Sequence, residues 1–246
     1  MIYARKSEEF EQSLEEHIEE CLKSLEELKN TRFWRIVSKA ELDLKVATIF
    51  HDSGKIFYQN NLKKGKLSFS GHEVFSAYIL DRFIWHYGKF EKNLRISDLL
   101  SAAAVLYHHH AMGVKSRLNN LKRLELKFSK QEEFKKILAE HEEIMLKNLE
   151  FLGLEGVERA LKCVNSDLEK FVVEGRVKSS KMIFEFEGLN KGLNKRIWDK
   201  FQKDANFRKM MVATTTALVV CDYRGAKGKK TEFSKVVDEF VELYRV

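Results

Sequence analysis

The sequence predicts an all-α fold in which one helical domain takes up residues 1–246. Three observations support this fold class. Apolar residues recur at the spacing of amphipathic helices along almost the whole chain. A single short segment alternates as a strand does, and no stretch rich in Ser, Gly or Pro divides the chain. Because a chain of this length can bury a sizeable core, we expect a bundle of helices around that core.

Each predicted helix carries an apolar stripe on one face. In the first, Leu14, Ile18 and Leu25 share that face because they are spaced by whole helical turns. The predicted helices span residues 10–28, 40–51, 72–86, 96–110, 131–152, 156–173, 205–222 and 233–245. Loops are expected at residues 58–71, 111–119, 174–195 and 224–231.

The best strand candidate is KMIFEFEGL, residues 181–189, in which apolar and other residues alternate. One isolated strand cannot form a sheet. We therefore expect this segment to be an extended loop or one arm of a hairpin.

Charge is unevenly distributed along the chain, whose net charge is +7. Residues 8–27 hold nine acidic residues and one lysine, whereas residues 115–136 hold eight basic residues and three glutamates. A basic stretch of this kind can follow a phosphate backbone. A charged helix face in contact with water is the commoner explanation for such a run.

The sequence favours a cytoplasmic protein without a membrane partner. No apolar run is as long as a membrane span, and the first residues lack the apolar region of a signal peptide. The three cysteines are widely spaced, which fits a reducing compartment and indicates no disulfide framework.

Histidine and aspartate recur where the predicted helices begin or end. His51 and Asp52 close the second helix, and Gly54 suits the left-handed position just beyond such an end. The others are His17 on the first apolar stripe, His72 at the start of the third helix, His108 to His110 at the end of the fourth, and Asp222 at the end of the seventh.

Taken singly, each of these residues has an ordinary explanation, such as a core histidine, a polar helix end or a turn former. Taken together they can be aimed by several helices at one site in the core of a bundle. His86 and His141 lie in aromatic-rich and charged surroundings, and we assign neither to this site.

The ordered motifs resemble those of the HD hydrolase superfamily, whose metal ligands follow the pattern His, His-Asp, Asp. In this chain they are LEEHIEE, ATIFHDSGK, GHEVFSA, VLYHHHAMG and VVCDYRG, which span residues 14–225. Within the superfamily, the adjacent histidines after an apolar helix resemble the CRISPR-associated HD nucleases. The resemblance implies an HD-domain helical bundle with a metal site in its core.

The resemblance also implies which residues hold one or two divalent ions. The ligands of one ion would be His17, His51, Asp52 and Asp222, and those of a second would be His72, His108 and His109, with Asp52 able to bridge. The family has two adjacent histidines where this chain has three, so a register shifted by one toward His110 is the alternative. Donors of this kind suit Mn²⁺, Fe²⁺, Co²⁺, Ni²⁺ or Zn²⁺, and less obviously Mg²⁺.

Two residues would carry the chemistry, Asp52 and Lys55. Lys55 could orient a water molecule, pair with a ligand carboxylate or contact the phosphate. Lys63, Lys64 and Lys66 should border the site and bind nucleic acid. The nearby aromatic residues Phe57, Tyr58 and Phe69 could stack on bases, although we favour a packing role for them.

By this resemblance the protein would be a metal-dependent nuclease that cleaves single-stranded DNA, and RNA as a second substrate, in CRISPR interference. Its partners would be a separate helicase subunit, because the chain has no GxxxxGK[ST] motif, and a guide-RNA surveillance complex. One alternative is a phosphohydrolase acting on nucleotides or cyclic nucleotides in a closed pocket. The other is a non-catalytic helical adaptor that binds no metal.

Overall fold

A computed structural model describes residues 1–61, 66–91, 96–97, 99–109, 114–187, 192–226 and 232–245. The predicted predominance of helix is confirmed. In chain order the elements are β1 (Tyr3–Lys6), β2 (Glu11–Ser13), α1 (Leu14–Leu28), α2 (Trp34–Val37), α3 (Glu41–Phe50), α4 (His72–Phe90), α5 (Leu100–Tyr107), α6 (Val114–Arg123), α7 (Gln131–Phe151), α8 (Val157–Glu169), β3 (Val172–Val173), β4 (Arg176–Val177), α9 (Ser179–Glu187), α10 (Leu193–Lys203), α11 (Ala205–Gly225) and α12 (Glu232–Leu243). Short 3-10 helices cover Ser38–Ala40 and Ser53–Tyr58.

The core is built from α1, α3, α4, α5 and α11. Helix α11 packs on α1 and α5, α4 packs on α5 and α8, and α3 contacts α1, α5 and α11. The side chains of Phe50 and Phe83 meet between α3 and α4, with ring centroids 5.0 Å apart. This packing brings the ends of several helices to one region of the core.

Helix α1 begins at Leu14 rather than at residue 10, because a capping box fixes its start. Ser13 Oγ accepts from the Glu16 amide at 3.1 Å, and the Glu16 carboxylate accepts from the Ser13 amide at 3.0 Å. The preceding residues form β2, which pairs with β1 in an antiparallel hairpin. The sequence pattern does not indicate this hairpin.

The prediction for residues 181–189 is wrong, because residues up to Glu187 belong to helix α9. Met182 and Phe186 are buried and one turn apart, so the apolar alternation fits a helical face as well as a strand. Phe184, the residue between them, is exposed. The loop predicted at 111–119 is also partly wrong, since α6 begins at Val114.

Gly54 does not occupy the left-handed position that we expected. The described glycines with positive φ are Gly71, Gly153, Gly156 and Gly175. Gly54 instead lies where the 3-10 helix crosses the first turn of α4, and its amide donates to Ser76 Oγ at 2.8 Å. Its function is close packing between two backbone segments.

Within the described part of the chain, no helix combines the length and the apolar character needed to cross a membrane.

Candidate metal centre

The structure brings the seven predicted ligands together in one cluster. They come from five parts of the fold: His17 from the inner face of α1, His51 and Asp52 from the end of α3, His72 from the start of α4, His108 and His109 from the end of α5, and Asp222 from the last turn of α11. His17, His51, Asp52, His72 and His108 are buried. His110, the alternative in the shifted register, lies outside the described residues.

A first donor group is centred on His17. Its Nε2 lies 3.1 Å from His51 Nε2, 3.2 Å from Asp52 Oδ2 and 3.2 Å from Asp222 Oδ1. Donor atoms that share one ion at about 2.0–2.2 Å lie roughly 3–3.5 Å from one another. These four atoms could therefore hold one metal ion.

A second donor group consists of His72, His108 and His109, whose ring nitrogens lie within 4.8 Å of one another. His108 Nε2 is buried and has no hydrogen-bond partner, which is costly for a polar atom unless a ligand satisfies it. Asp52 joins the two groups, because its Oδ2 faces His17 while its Oδ1 lies 2.9 Å from His72 Nε2.

Three of the histidines are held in the orientation that a metal requires. Each has Nδ1 within hydrogen-bond distance of the carbonyl three residues earlier, so Nδ1–H donates and Nε2 keeps its lone pair. The distances are 2.7 Å from His51 to Thr48 O, 2.6 Å from His72 to Phe69 O, and 2.6 Å from His108 to Val105 O.

The electrostatics keep the carboxylates charged and two histidines neutral. Burial alone would raise the pKa of Asp52, but the charge of Lys55 and the contacts with the histidines hold this pKa well below its usual range. Asp222 follows the same rule, since hydrogen bonds to His17 and His51 outweigh burial and lower its pKa.

Among the histidines, burial lowers the pKa of His108 and lowers that of His109 to about 3. His17 behaves differently. Burial would lower its pKa, but Cys21, Asp222 and Asp52 together raise it well above its usual value. In the absence of an ion, a proton on His17 therefore partly offsets the charge of the two carboxylates.

Cys21 adds a sulfur atom beside the first donor group. Its Sγ lies 3.8 Å from both ring nitrogens of His17, one helical turn away, and His17, Cys21 and His51 together could hold an ion. Cys21 also contacts Gly225, where a Cβ atom would lie 2.5 Å from the sulfur. We did not predict a role for Cys21 at the site, although its i, i+4 spacing from His17 is visible in the sequence.

Lys55 pairs with the predicted ligand Asp52, one of the three roles considered for it. Its Nζ lies 2.5 Å from Asp52 Oδ2 and donates to Ala4 O at 2.9 Å. Only 8% of the residue is exposed. Lys55 therefore fixes the orientation of Asp52 and compensates its charge.

A cleft of about 710 Å³ opens onto the cluster, and His17, His72, His109 and Asp222 reach its wall. Basic residues from β1 and from the segment before α4 border it, namely Arg5, Lys6 and Lys66. The amide of Leu67 donates to Lys6 O and ties these two walls together. Lys63 and Lys64, which we predicted to bind nucleic acid, lie outside the described residues.

The aromatic residues near the cleft have two different positions. Phe57 is fully buried and packs on Phe75 and Phe134, and Tyr58 is buried with its hydroxyl donating to Ser70 O. Both are packing residues, as we favoured. Phe69 lines the cleft.

The two histidines that we excluded lie elsewhere. His86 Nε2 is 2.9 Å from Asp167 Oδ2, and His141 is buried in α7, where burial lowers its pKa to about 4. Neither belongs to a donor group.

The chain matches none of the protein-family models, curated proteins or solved structures with which it was compared. The kind of site is therefore inferred from the residues that form it. It is a buried cluster of histidine, aspartate and cysteine in a helical core, with a cleft that reaches it, and it could hold a metal ion.

Proposed function

We propose that this chain is a metal-dependent phosphodiesterase of the HD hydrolase superfamily that cleaves single-stranded nucleic acid, chiefly DNA. The observation that carries the proposal is the convergence of all seven motif residues on one buried cluster that a cleft exposes to substrate. The two donor groups, joined by Asp52, suit one or two ions.

The residues present fit a divalent ion well. Charged carboxylates and neutral imidazoles are the ligand forms, and the mixture suits Mn²⁺, Fe²⁺, Co²⁺, Ni²⁺ or Zn²⁺. When bound, such an ion polarises a phosphoryl oxygen and activates water as the nucleophile. Asp52 would contribute one oxygen to each donor group, and Lys55 would keep that carboxylate in place.

The border of the cleft supports a polyanionic substrate. Arg5 and Lys66 come from two different segments that meet at the cleft, and Lys66 is exposed. Positive charges on both sides of a cleft raise the local concentration of a phosphate backbone. Phe69, which lines the same cleft, offers an aromatic face for an unpaired base.

The proposed partners rest on the sequence motifs. The adjacent histidines resemble those of CRISPR-associated nucleases, and the chain has no ATP-binding GxxxxGK[ST] motif. We therefore propose a separate helicase subunit and a guide-RNA surveillance complex as partners, which would supply unwound DNA and sequence specificity.

A second candidate is hydrolysis of nucleotides or cyclic nucleotides. The observation in its favour is the size of the cleft, since about 710 Å³ falls within the range of roughly 300–1,000 Å³ that is typical of small-ligand pockets.

The test is cleavage of an end-labelled single-stranded DNA oligomer in EDTA, Mg²⁺, Mn²⁺ and Ni²⁺. We expect metal-dependent cleavage by the natural protein and none by Asp52→Asn, because the carboxylate that joins the donor groups is gone. His86→Ala is the matched control and should retain cleavage and metal content. Hydrolysis of free nucleotides without cleavage of DNA would favour the second candidate. A protein that binds no metal and shows neither activity would favour the third possibility, a non-catalytic helical adaptor.

A further inference from the structure

A buried ion pair lies beside the second donor group and outside the ligand set. Glu73 follows His72 in the first turn of α4 and is 1% exposed, while Arg117 lies in α6 and is 6% exposed. Glu73 Oε1 and Arg117 Nη1 are 2.5 Å apart, an ionic contact that lacks the geometry of a hydrogen bond. Both residues line the cleft that reaches the cluster.

The same arginine also binds the backbone of a ligand. Arg117 Nη2 donates to the carbonyl oxygen of His109 at 2.5 Å. His109 follows the end of α5, where helical hydrogen bonds no longer constrain the chain. Its ring makes no hydrogen bond to any residue that the structure describes, unlike the rings of His72 and His108. Among the described residues, it is therefore the hydrogen bond from Arg117 that holds His109 in place.

We propose that Arg117 is a positioning residue for the second donor group. One side of its guanidinium holds the His109 carbonyl and so sets the direction of the imidazole. The other side is held by Glu73, the residue next to His72. The pair thus couples the start of α4 to the end of α5, the two places from which the second donor group comes.

The energetics favour a positional role over a purely stabilising one. Removing two charges from water is costly, and a buried ion pair often stabilises a fold no better than apolar side chains of the same volume. A planar guanidinium can bind two acceptors in a fixed relative geometry, which neither an apolar residue nor a lysine can do. The neighbours Ser116, Asn119 and Asn120 are exposed, whereas the side chain of Arg117 is buried. Arg117 therefore points inward although it belongs to the basic run 115–136.

The inference rests on the proposed function in one respect, since it requires a divalent ion in the second donor group. The test is Mn²⁺ stoichiometry and affinity, measured by isothermal titration and by electron paramagnetic resonance, for the natural protein and Arg117→Met. We expect two ions in the natural protein. In Arg117→Met, the second ion should bind about 10–100-fold more weakly, while the first ion keeps its affinity.

Two further variants separate positioning from folding. Glu73→Gln combined with Arg117→Met leaves no unpaired buried charge and should still lose the second ion. Arg117→Lys keeps the charge beside Glu73 but lacks the fork, so it should bind the second ion with intermediate affinity. The control is Arg196→Met. It removes the hydrogen bonds from Arg196 Nη2 to the two Asp81 carboxylate oxygens, at 2.6 and 2.7 Å. Both residues line a cleft that no residue of the cluster lines, so both ions should stay bound.

Three results would overturn the inference. These are unchanged affinity for both ions in a folded double variant, equal weakening of both ions, and failure of every Arg117 variant to fold. A natural protein that binds one ion and cleaves DNA would also overturn the inference while leaving the proposed function intact. A natural protein that binds no ion would overturn both.

Discussion

Replacing Gly54 by alanine should damage the candidate site without touching any ligand. An added Cβ would lie 2.2 Å from His72 O, 2.8 Å from Phe75 Cβ and 2.8 Å from the Ser76 amide nitrogen. Two of these atoms belong to the backbone of α4, so no side-chain rotation relieves the overlap. The 3-10 helix and the first turn of α4 must therefore move apart.

The size of the movement follows from the distances. Ordinary contact begins at 3.4 Å, so His72 O must retreat by about 1 Å if the other contacts relax with it. His72 is the first residue of α4, and its ring lies 2.9 Å from Asp52 Oδ1. We expect a loss of about 1–3 kcal/mol in the free energy of unfolding. A displacement of about 1 Å in a reacting centre also lowers activity by roughly 100-fold.

The assay compares thermal unfolding and metal-dependent DNA cleavage for the natural protein and Gly54→Ala. The expected fall in the unfolding midpoint is roughly 2–12 °C for a chain of this size. Gly153→Ala is the control, because its Cβ meets nothing within 4 Å and only its positive φ of 66° opposes the change. It should lose about 1–2 kcal/mol from the backbone and keep its activity. A Gly54→Ala protein with the natural midpoint and rate would refute the close-packing argument.

Two further predictions concern buried titratable groups. Because the folded pKa of His141 is about 4 and the unfolded value about 6.5, the contribution of neutral His141 to the free energy of unfolding is present above pH 6.5 and falls by about 3 kcal/mol as the pH drops toward 4. His141→Leu should reduce the acid loss of stability by about that amount and leave the share due to His108 and His109, as urea unfolding at pH 7 and pH 4.5 would show; an equal acid loss in the variant would contradict the assignment. Lys55→Met should cost the metal-free protein about 3 kcal/mol in the free energy of unfolding, because Asp52 loses the buried lysine that pairs with it. Added Mn²⁺ should raise the thermal unfolding midpoint of the variant part of the way back to that of the natural protein. A midpoint that does not respond to Mn²⁺ would argue against an ion beside Asp52.

The helical class and the cluster of histidine and aspartate side chains could be predicted because their signals are local. A helix shows its buried face in the spacing of apolar residues. A histidine or aspartate at a helix end is visible in the sequence as an exception to that spacing, as His51 and Asp222 are. Their convergence needed only the assumption that helix ends meet in one core.

The remaining features depend on contacts between distant segments. The hairpin of β1 and β2 has strands of four and three residues, YARK and EQS, without apolar alternation. Arg117 looks like one more charge in a basic run, and only its contacts with Glu73 and His109 distinguish it. Gly54 resembles a glycine that ends a helix. A glycine is required there because the backbone of α4 lies too close for a Cβ atom. No pattern within one segment reports such contacts.

The position of the histidines just after helices has a physical basis that links folding to the site. The last carbonyls of an α-helix have no partner within the helix. Thr48 O in the last turn of α3 and Val105 O in the last turn of α5 accept from the Nδ1–H groups of His51 and His108. One hydrogen bond thus satisfies a free carbonyl at the helix end and fixes the tautomer that presents Nε2 to an ion. Because both helices use the same spacing of three residues, the donor atoms are prepared by the folding of α3 and α5 before any ion binds.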